Sequence, residues 1–487
     1  MRAARSLWIY GSRFGSWLGR HKLECAILLF GVLLRVSMIT NYGHNWNYDS
    51  NEHWDVVEWV VKHHTVPNTE SAFESFHPPL WYMIAAGLIS LGWTRPEVVY
   101  FSVGCGVLRL LVIWVGLELW LPGKRWARVT ALALAAVLSV SVHLDGMIYN
   151  EPLSCLLHAI LLAIFPLALK PERAGRLPLV IMLGLLMGFA LLTKVSALVT
   201  LGALLAGAGL QLLLTQRKLR ERVSTVLSFS LLLGITLTVC GWYYMQNIHQ
   251  YNRPFLTSFN LRSQNWLVAE AETKPLLERR PLGFVLGWGE DIYKNPYRPA
   301  ALRPFPRFFP VAVASSAVDY WGFGYPGYDT TRQGQAAGMR PPAEVREVAR
   351  ASVVGGTVVF FSMLAAGVAA AYTVWRRRDY ARLAILMAPL FTLIAALHFA
   401  VSCPVDDYGV VKGVYLMFTA PPLFALFGLA VDWARKQPVR WPVLVILIGS
   451  LVVLGYYSVV CRLTTHFPWE GSAKNQPSVD EMMERTV

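Results

Sequence analysis

Eleven apolar stretches, each close to or above the length that crosses a bilayer, constrain this chain more than any other feature. They fall near residues 23–40, 98–121, 127–144, 152–169, 177–192, 195–214, 224–245, 352–375, 381–400, 411–431 and 441–461. A spanning helix needs about 20 mostly apolar residues, so the expected fold is an all-α polytopic membrane protein, one bundle of about eleven transmembrane helices. Length alone, 487 residues, would suggest several soluble domains; a composition 55% hydrophobic and 15% charged, with a mean hydropathy of +0.43, excludes that. A shorter stretch, 79–91, follows the pair Pro78 and Pro79. It is too brief to cross and is expected to lie on the membrane or half inside it.

That reading of 79–91 decides which way the chain faces. The 44 basic and 30 acidic residues give +14, a balance that on a soluble protein would hint at nucleic acid, but here the placement of charge explains it. Arg2, Arg5, Arg13, Arg20 and Lys22 fall on one side with Lys124, Arg125 and Arg128, with Lys170, Arg173 and Arg176, and with Arg217, Lys218, Arg220 and Arg222. Arg376, Arg377, Arg378 and Arg382 join them, as do Arg435, Lys436 and Arg440. The positive-inside rule makes that side cytoplasmic. If 79–91 crossed fully, every later cluster would move outside. The expected organisation is a catalytic transmembrane module over 1–245 with a first outer loop at 41–97, a long non-cytoplasmic loop or cap over 246–351, C-terminal helices over 352–461 and a tail over 462–487. The first segment has the basic flank of a signal peptide, but no small-residue cleavage site follows and Arg35 interrupts its apolar core, so it is expected to remain as an anchor. The six cysteines show no CxxC spacing and read as small hydrophobes; Cys403 and Cys461 both lie near the outer surface, yet a disulfide between them is not expected.

Polar residues collect on the outer face. In the first outer loop Asp49, Glu52, Asp55 and Glu58 recur every third residue among Trp54, Val57, Trp59, Val60 and Val61, the pattern of a short amphipathic helix on the membrane, with Asp49 at its start. Asp55 and Glu58 read as its solvated face. Asp49 and Glu52 lie among aromatics, where a carboxylate beside apolar surface can act as a base. Next, Pro78 and Pro79 force an extended entry that presents His77 at the head of an aromatic helix. Asn150 and Glu151 open a later span, where capping alone would account for them. Lys194 sits between two spans at the outer boundary, against the positive-inside bias, and asks for an anionic partner or snorkels to headgroups. Arg253 follows the aromatic end of another span, and Asp406, Asp407, Lys412 and Tyr415 cluster at the mouth of a late one.

Taken in order, these residues resemble the GT-C superfamily of polyprenyl-phosphate-dependent glycosyltransferases, above all the branch of the protein O-mannosyltransferases and the aminoarabinose transferases of lipid A. The resemblance rests on Asp49 after the first helix, His-Pro-Pro-Leu at 77–80, Asn-Glu-Pro-Leu at 150–153, Leu-Thr-Lys at 192–194, the segment 242–254, and Lys412 to Tyr415 with Pro421 and Pro422 following. Two departures stand out. Ser50, not a second acid, follows Asp49, and Asn150 and Glu151 stand where the family commonly has Asp.

The resemblance implies inverting transfer of a sugar from a polyprenyl-phosphate donor to a glycan, lipid or protein acceptor on the non-cytoplasmic face. On that reading Asp49 is the general base, worth roughly 10²- to 10⁴-fold. Lys194, Arg253 and Lys412 would stabilise the leaving phosphate, with Glu52, His77, Asn150, Glu151 and Tyr415 in substrate binding. No cofactor and no metal are expected, and no nucleic-acid partner. The expected location is a bacterial plasma membrane with the site periplasmic or extracellular, or an endoplasmic reticulum membrane with the site lumenal. The rival readings are a secondary transporter, which would place its ionisable groups near the bilayer midplane, and a non-catalytic assembly protein using 246–351 as a docking surface.

Overall fold

A computed structural model describes residues 21–41, 49–69, 74–169, 177–215, 218–257, 271–297, 307–319, 343–404 and 410–464, with the single positions 19 and 269. All regular structure among them is helical. The bundle opens with α1 (Lys22–Asn41), the two short helices α2 (Ser50–His63) and α3 (Leu80–Ser90), and α4 (Arg95–Trp120). It continues through α5 (Arg125–Val137), α6 (Ser139–Leu144), α7 (Glu151–Leu169), α8 (Leu177–Thr193), α9 (Ala197–Leu214) and α10 (Leu219–Tyr251). After three short elements, a 3₁₀ turn at Leu276–Glu278, α11 (Leu282–Leu286) and α12 (Asp291–Lys294), come α13 (Phe308–Ala317), α14 (Ala343–Arg376) and α15 (Tyr380–Ser402). A 3₁₀ segment, Gly413–Thr419, then leads into α16 (Ala420–Arg435), and α17 (Trp441–Thr464) closes the described chain.

Nine of the eleven expected spans are, among the described residues, helices long and apolar enough to cross a membrane. Two of the eleven depart from that. The stretch 177–192 makes α8, only 17 residues long. The stretch 127–144 is not one helix but two, broken at Leu138, whose ψ of 122° leaves the helical region. Neither glycine nor proline marks the break; hydrogen bonding does. The last carbonyls of α5, orphaned wherever a helix ends, are taken by side chains: Arg35 donates to Ala135 O at 3.2 Å and Ala136 O at 3.1 Å, and Ser458 to Val137 O at 2.6 Å. Arg35 is therefore a built-in part of α1 and fully buried.

Elsewhere the elements follow local chemistry. Pro421 and Pro422 occupy the first turn of α16, where their missing N–H groups cost nothing, and the chain before them winds as 3₁₀ helix. In α2 the buried Ser50, His53, Trp54, Val56 and Val57 form one stripe while Asn51, Asp55 and Glu58 stay exposed, as the amphipathic pattern requires. α3, 11 residues and about 16 Å long, packs against α2 and does not span. The helices α10 and α14, 33 and 34 residues, are about 50 Å long and overshoot a hydrocarbon core of about 30 Å. Both run through the boundaries expected at 245 and 352, so the ends of the long outer segment are helical continuations. Its apolar helix α13 is buried against α14, where Ser352 donates to Ala317 O at 3.1 Å. None of the six cysteines, Cys403 and Cys461 included, is joined in a disulfide among the described residues.

Close approach of α8 and α10 depends on two small residues. A Cβ on Gly188 would lie 2.6 Å from Val239 Cβ and 2.8 Å from its Cγ1, and Gly184 meets Ile235 in the same way. Gly188→Leu should therefore destabilise the bundle by about 1–3 kcal/mol, read as a lower thermal midpoint in detergent. Gly209→Ala, which meets nothing within 4 Å, should not lower it.

Candidate functional site

The site is assembled by five connections that the helices bring to one end of the bundle. Asp49 occupies the N-cap position of α2 but makes no capping bond; its side chain is turned inward, buried, with Oδ2 4.0 Å from Lys412 Nζ. Lys412, immediately before the 3₁₀ segment, is itself buried. Across from it, Lys194 pairs with Glu151 Oε1 and Asn150 donates to Thr193 O at 3.4 Å, so the 150–153 and 192–194 motifs close on each other as one unit. Tyr149 and Tyr415 wall the ammonium groups. Lys194 lies 5.4 Å from the Tyr149 ring and 5.9 Å from Tyr415, and Lys412 lies 5.7 Å from Tyr415, within the range of cation–π attraction.

The fifth connection is the turn before α3. Glu74 is buried, with Oε2 3.0 Å from His77 Nε2 and 3.9 Å from His53 Nε2. Tyr82 donates to the Glu74 carbonyl at 3.2 Å and meets His53 Nδ1 at 2.7 Å, while Tyr243 from α10 donates to Phe76 O at 3.0 Å. These bonds clamp the turn between α2, α3 and α10.

The charges sense one another. Burial pushes the Glu74 carboxyl up to about 7, against the opposing pull of Lys412 and Lys194. Burial likewise draws Lys194 down to about 7, with Glu74 and Asp49 resisting and Lys412 adding to the depression. Both imidazoles are held well below their usual range, first by burial and then by the neighbouring positive groups. Glu52, partly buried on α2, is raised by burial and further by Glu74.

Of the residues singled out by sequence, Asp49, His77, Asn150, Glu151, Lys194, Lys412 and Tyr415 come together. Glu52 borders them. Arg253 does not join: it is exposed just past the end of α10, and none of the cluster's ion pairs includes it. Asp55 is exposed and Glu58 accepts a bond from Trp54 Nε1 at 2.6 Å, the surface roles expected of them. Asp406 and Asp407 lie outside the described residues. Three residues went unremarked. Glu74 could have been found from its i, i+3 spacing to His77; His53 is hidden in the apolar stripe of α2, and Tyr149 carries no signal of its own.

An apolar cavity of about 840 Å³, with none of the polar cluster's residues in its wall, lies between α13, α14, α15 and α16. The 3₁₀ segment borders both. It follows Lys412 directly, while its Leu416, Met417 and Thr419 line the cavity together with Phe360, Leu390 and Phe424.

No family model matches the chain, and no curated protein matches it in sequence. Solved structures do. An oligosaccharyltransferase of Archaeoglobus fulgidus, in complex with Zn and sulfate, superposes with a TM-score of 0.54 at 12% identity, covering 94% of this chain and 56% of the other. The Archaeoglobus fulgidus oligosaccharyltransferase AglB with an inhibitory peptide and a dolichol-phosphate gives 0.50 at 13%, over 96% and 60%. ArnT from Cupriavidus metallidurans bound to undecaprenyl phosphate matches over 91% and 88% at 17% identity, but with a TM-score of 0.35 it adds nothing to the fold comparison. The chain thus spans little more than half the length of the archaeal transferases whose fold it shares. The shared fold is the polytopic helical bundle that the GT-C resemblance implies.

Proposed function

We propose that the protein is a membrane glycosyltransferase that moves a sugar from a polyprenyl-phosphate donor to an acceptor hydroxyl at the outer face of the membrane. One observation carries this reading: Asp49, Lys194 and Lys412, drawn from three distant parts of the sequence, form one buried charged cluster, and the 3₁₀ segment that follows Lys412 runs into the wall of an apolar cavity. An amphiphile with an anionic head and a hydrocarbon chain fits both halves. The archaeal structure with bound dolichol-phosphate supports a donor of that chemistry.

In the proposed step the acceptor oxygen attacks the anomeric carbon while its proton passes to Asp49. The carbon–oxygen bond to phosphate breaks with inversion, and the electron pair leaves on the carrier phosphate. Lys194 and Lys412 meet that growing charge in a site with little water, where fixed cations act most strongly. Asn150 and Glu151 hold Lys194 in place, and Tyr149 and Tyr415 keep both ammonium groups against apolar walls. The step draws on side chains alone. Leaving a polyprenyl chain exposed to water costs about 0.8 kcal/mol per methylene, which explains why the catalyst is a membrane protein.

Purified protein incubated with polyprenyl-phosphate sugars and candidate acceptors should release free carrier phosphate. Absence of release with every donor, together with substrate flux in proteoliposomes, would replace this reading with a transporter. A pH dependence follows from Lys194. Because its proton is lost near pH 7, far below the usual lysine range, donor binding should weaken as pH rises through 7. Lys194→Arg, charged at all these pH values, should flatten that rise in donor KM; an unchanged profile would detach Lys194 from the phosphate.

A further inference from the structure

The turn between α2 and α3 holds a constellation that sugar transfer does not use. His53 Nε2, Glu74 Oε2 and His77 Nε2 converge, with Oε2 3.9 Å from the first nitrogen and 3.0 Å from the second, and ligand atoms from the three residues lie within 4.8 Å of one another. Tyr82 Oη lies 2.7 Å from His53 Nδ1 and 3.2 Å from the Glu74 carbonyl, so Tyr82 engages one ring nitrogen of His53 while the other, Nε2, faces Glu74. This nitrogen is fully buried and takes no hydrogen bond among the described residues, an arrangement that is costly unless something electrophilic bridges the two.

We propose that His53, Glu74 and His77 bind a divalent transition metal, zinc foremost, in a three-ligand site with an open fourth position. Two imidazoles and one carboxylate form a known zinc donor set. Ligand atoms about 2.1 Å from a tetrahedral ion stand about 3.4 Å apart; the Glu74 oxygen, at 3.0 and 3.9 Å from the two nitrogens, is close to that spacing, and all three ligand atoms lie within 4.8 Å of one another. The Tyr82 bond to His53 Nδ1 fixes the ring through its far nitrogen, as such bonds orient metal-bound histidines, and the Tyr149 ring, 4.2 Å away and edge-on, holds the imidazole from the other side. The ion would tie α2, which begins at Asp49, to the 74–77 turn, giving it a positioning role. A second grouping, His143, Asp319 and Cys461, is less suited. There the carboxylate is already met by His143 at 2.9 Å and Arg462 at 3.0 Å, and a metal would have to displace the guanidinium.

The inference stands apart from the transfer reading, and its test needs no donor. Metal-stripped full-length protein in detergent is titrated with Co(II) and followed by visible absorption. One equivalent with the intense bands of tetrahedral cobalt is expected, retained on desalting and displaced by Zn(II). Glu74→Gln and His77→Ala, each checked for an unchanged elution profile, should lose the bands. Retention of cobalt by both variants, or none retained by the wild type, would overturn the proposal. If the variants do not fold, X-ray absorption of zinc-loaded wild type decides: a nitrogen and oxygen shell with imidazole scattering supports the site, and a sulfur neighbour assigns the ion to Cys461 and refutes it.

Discussion

Asp49→Asn is expected to slow sugar transfer about 10²- to 10⁴-fold, the contribution of a positioned base, while leaving the protein folded. The substitution keeps the shape of the side chain, and since Asp49 makes no capping bond to α2, no helix end is lost with it. What disappears is the proton acceptor and the negative charge 4.0 Å from Lys412. The effect should fall on kcat, because the base acts on the acceptor hydroxyl and not on the carrier. The measurement is turnover at saturating donor, with elution profile and thermal midpoint as folding controls. Near-normal turnover would remove Asp49 from the chemistry.

The largest stability effect is expected away from the site, at Asp145. Its Oδ2 receives Arg35 Nε and Arg109 Nη2, each at 2.7 Å, and Ser141 Oγ accepts from the same two guanidinium groups at 3.1 and 2.7 Å. All three charged residues are buried. Asp145→Asn leaves two guanidinium groups inside the bundle without a counter-charge, and breaking a buried pair in this way costs about 3–5 kcal/mol. That should appear as a steep fall in thermal midpoint and in yield from membranes. An exposed pair gives the contrast: Glu347→Gln, which loses a solvent-facing partner of Arg350, should leave the midpoint unchanged. Equal effects would mean that the Asp145 network contributes no more than a surface bridge.

Gly106 belongs to the same network. A Cβ there would collide with the Asp145 carboxyl, so the α4 backbone sits against it with no room for a side chain. The sequence marks neither Arg109 nor Asp145 as special: one lies inside an apolar run, the other reads as part of an outer turn. Their pairing across 36 positions is visible only in three dimensions.

The helical content, the number of apolar stretches and the amphipathic character of α2 were legible because each depends on near neighbours: runs of about 20 apolar residues and a 3.6-residue period are local properties. The candidate site was legible in part for a related reason. Isolated polar residues beside apolar spans are costly unless they have a use, which drew attention to Asp49, His77, Lys194 and Lys412. The break at Leu138 was not, because its cause is Arg35 and Ser458, residues from the first and last helices. Nor was the exclusion of Arg253, whose place at the end of an aromatic segment looks like that of Lys194 but whose helix carries it outward.

By itself, then, the sequence determined a chain of membrane helices with acids and lone cations gathered toward one end, because hydrophobic period and length act over a few turns. Only the tertiary structure decided which of those charges meet. Whether Lys194 faces Glu151 or lipid, whether Asp49 caps α2 or turns to Lys412, and whether His53 and His77 share Glu74 all depend on contacts between helices far apart in the numbering. Such contacts are selected by the cost of burying a charge without a partner, a quantity that exists only once the bundle has closed.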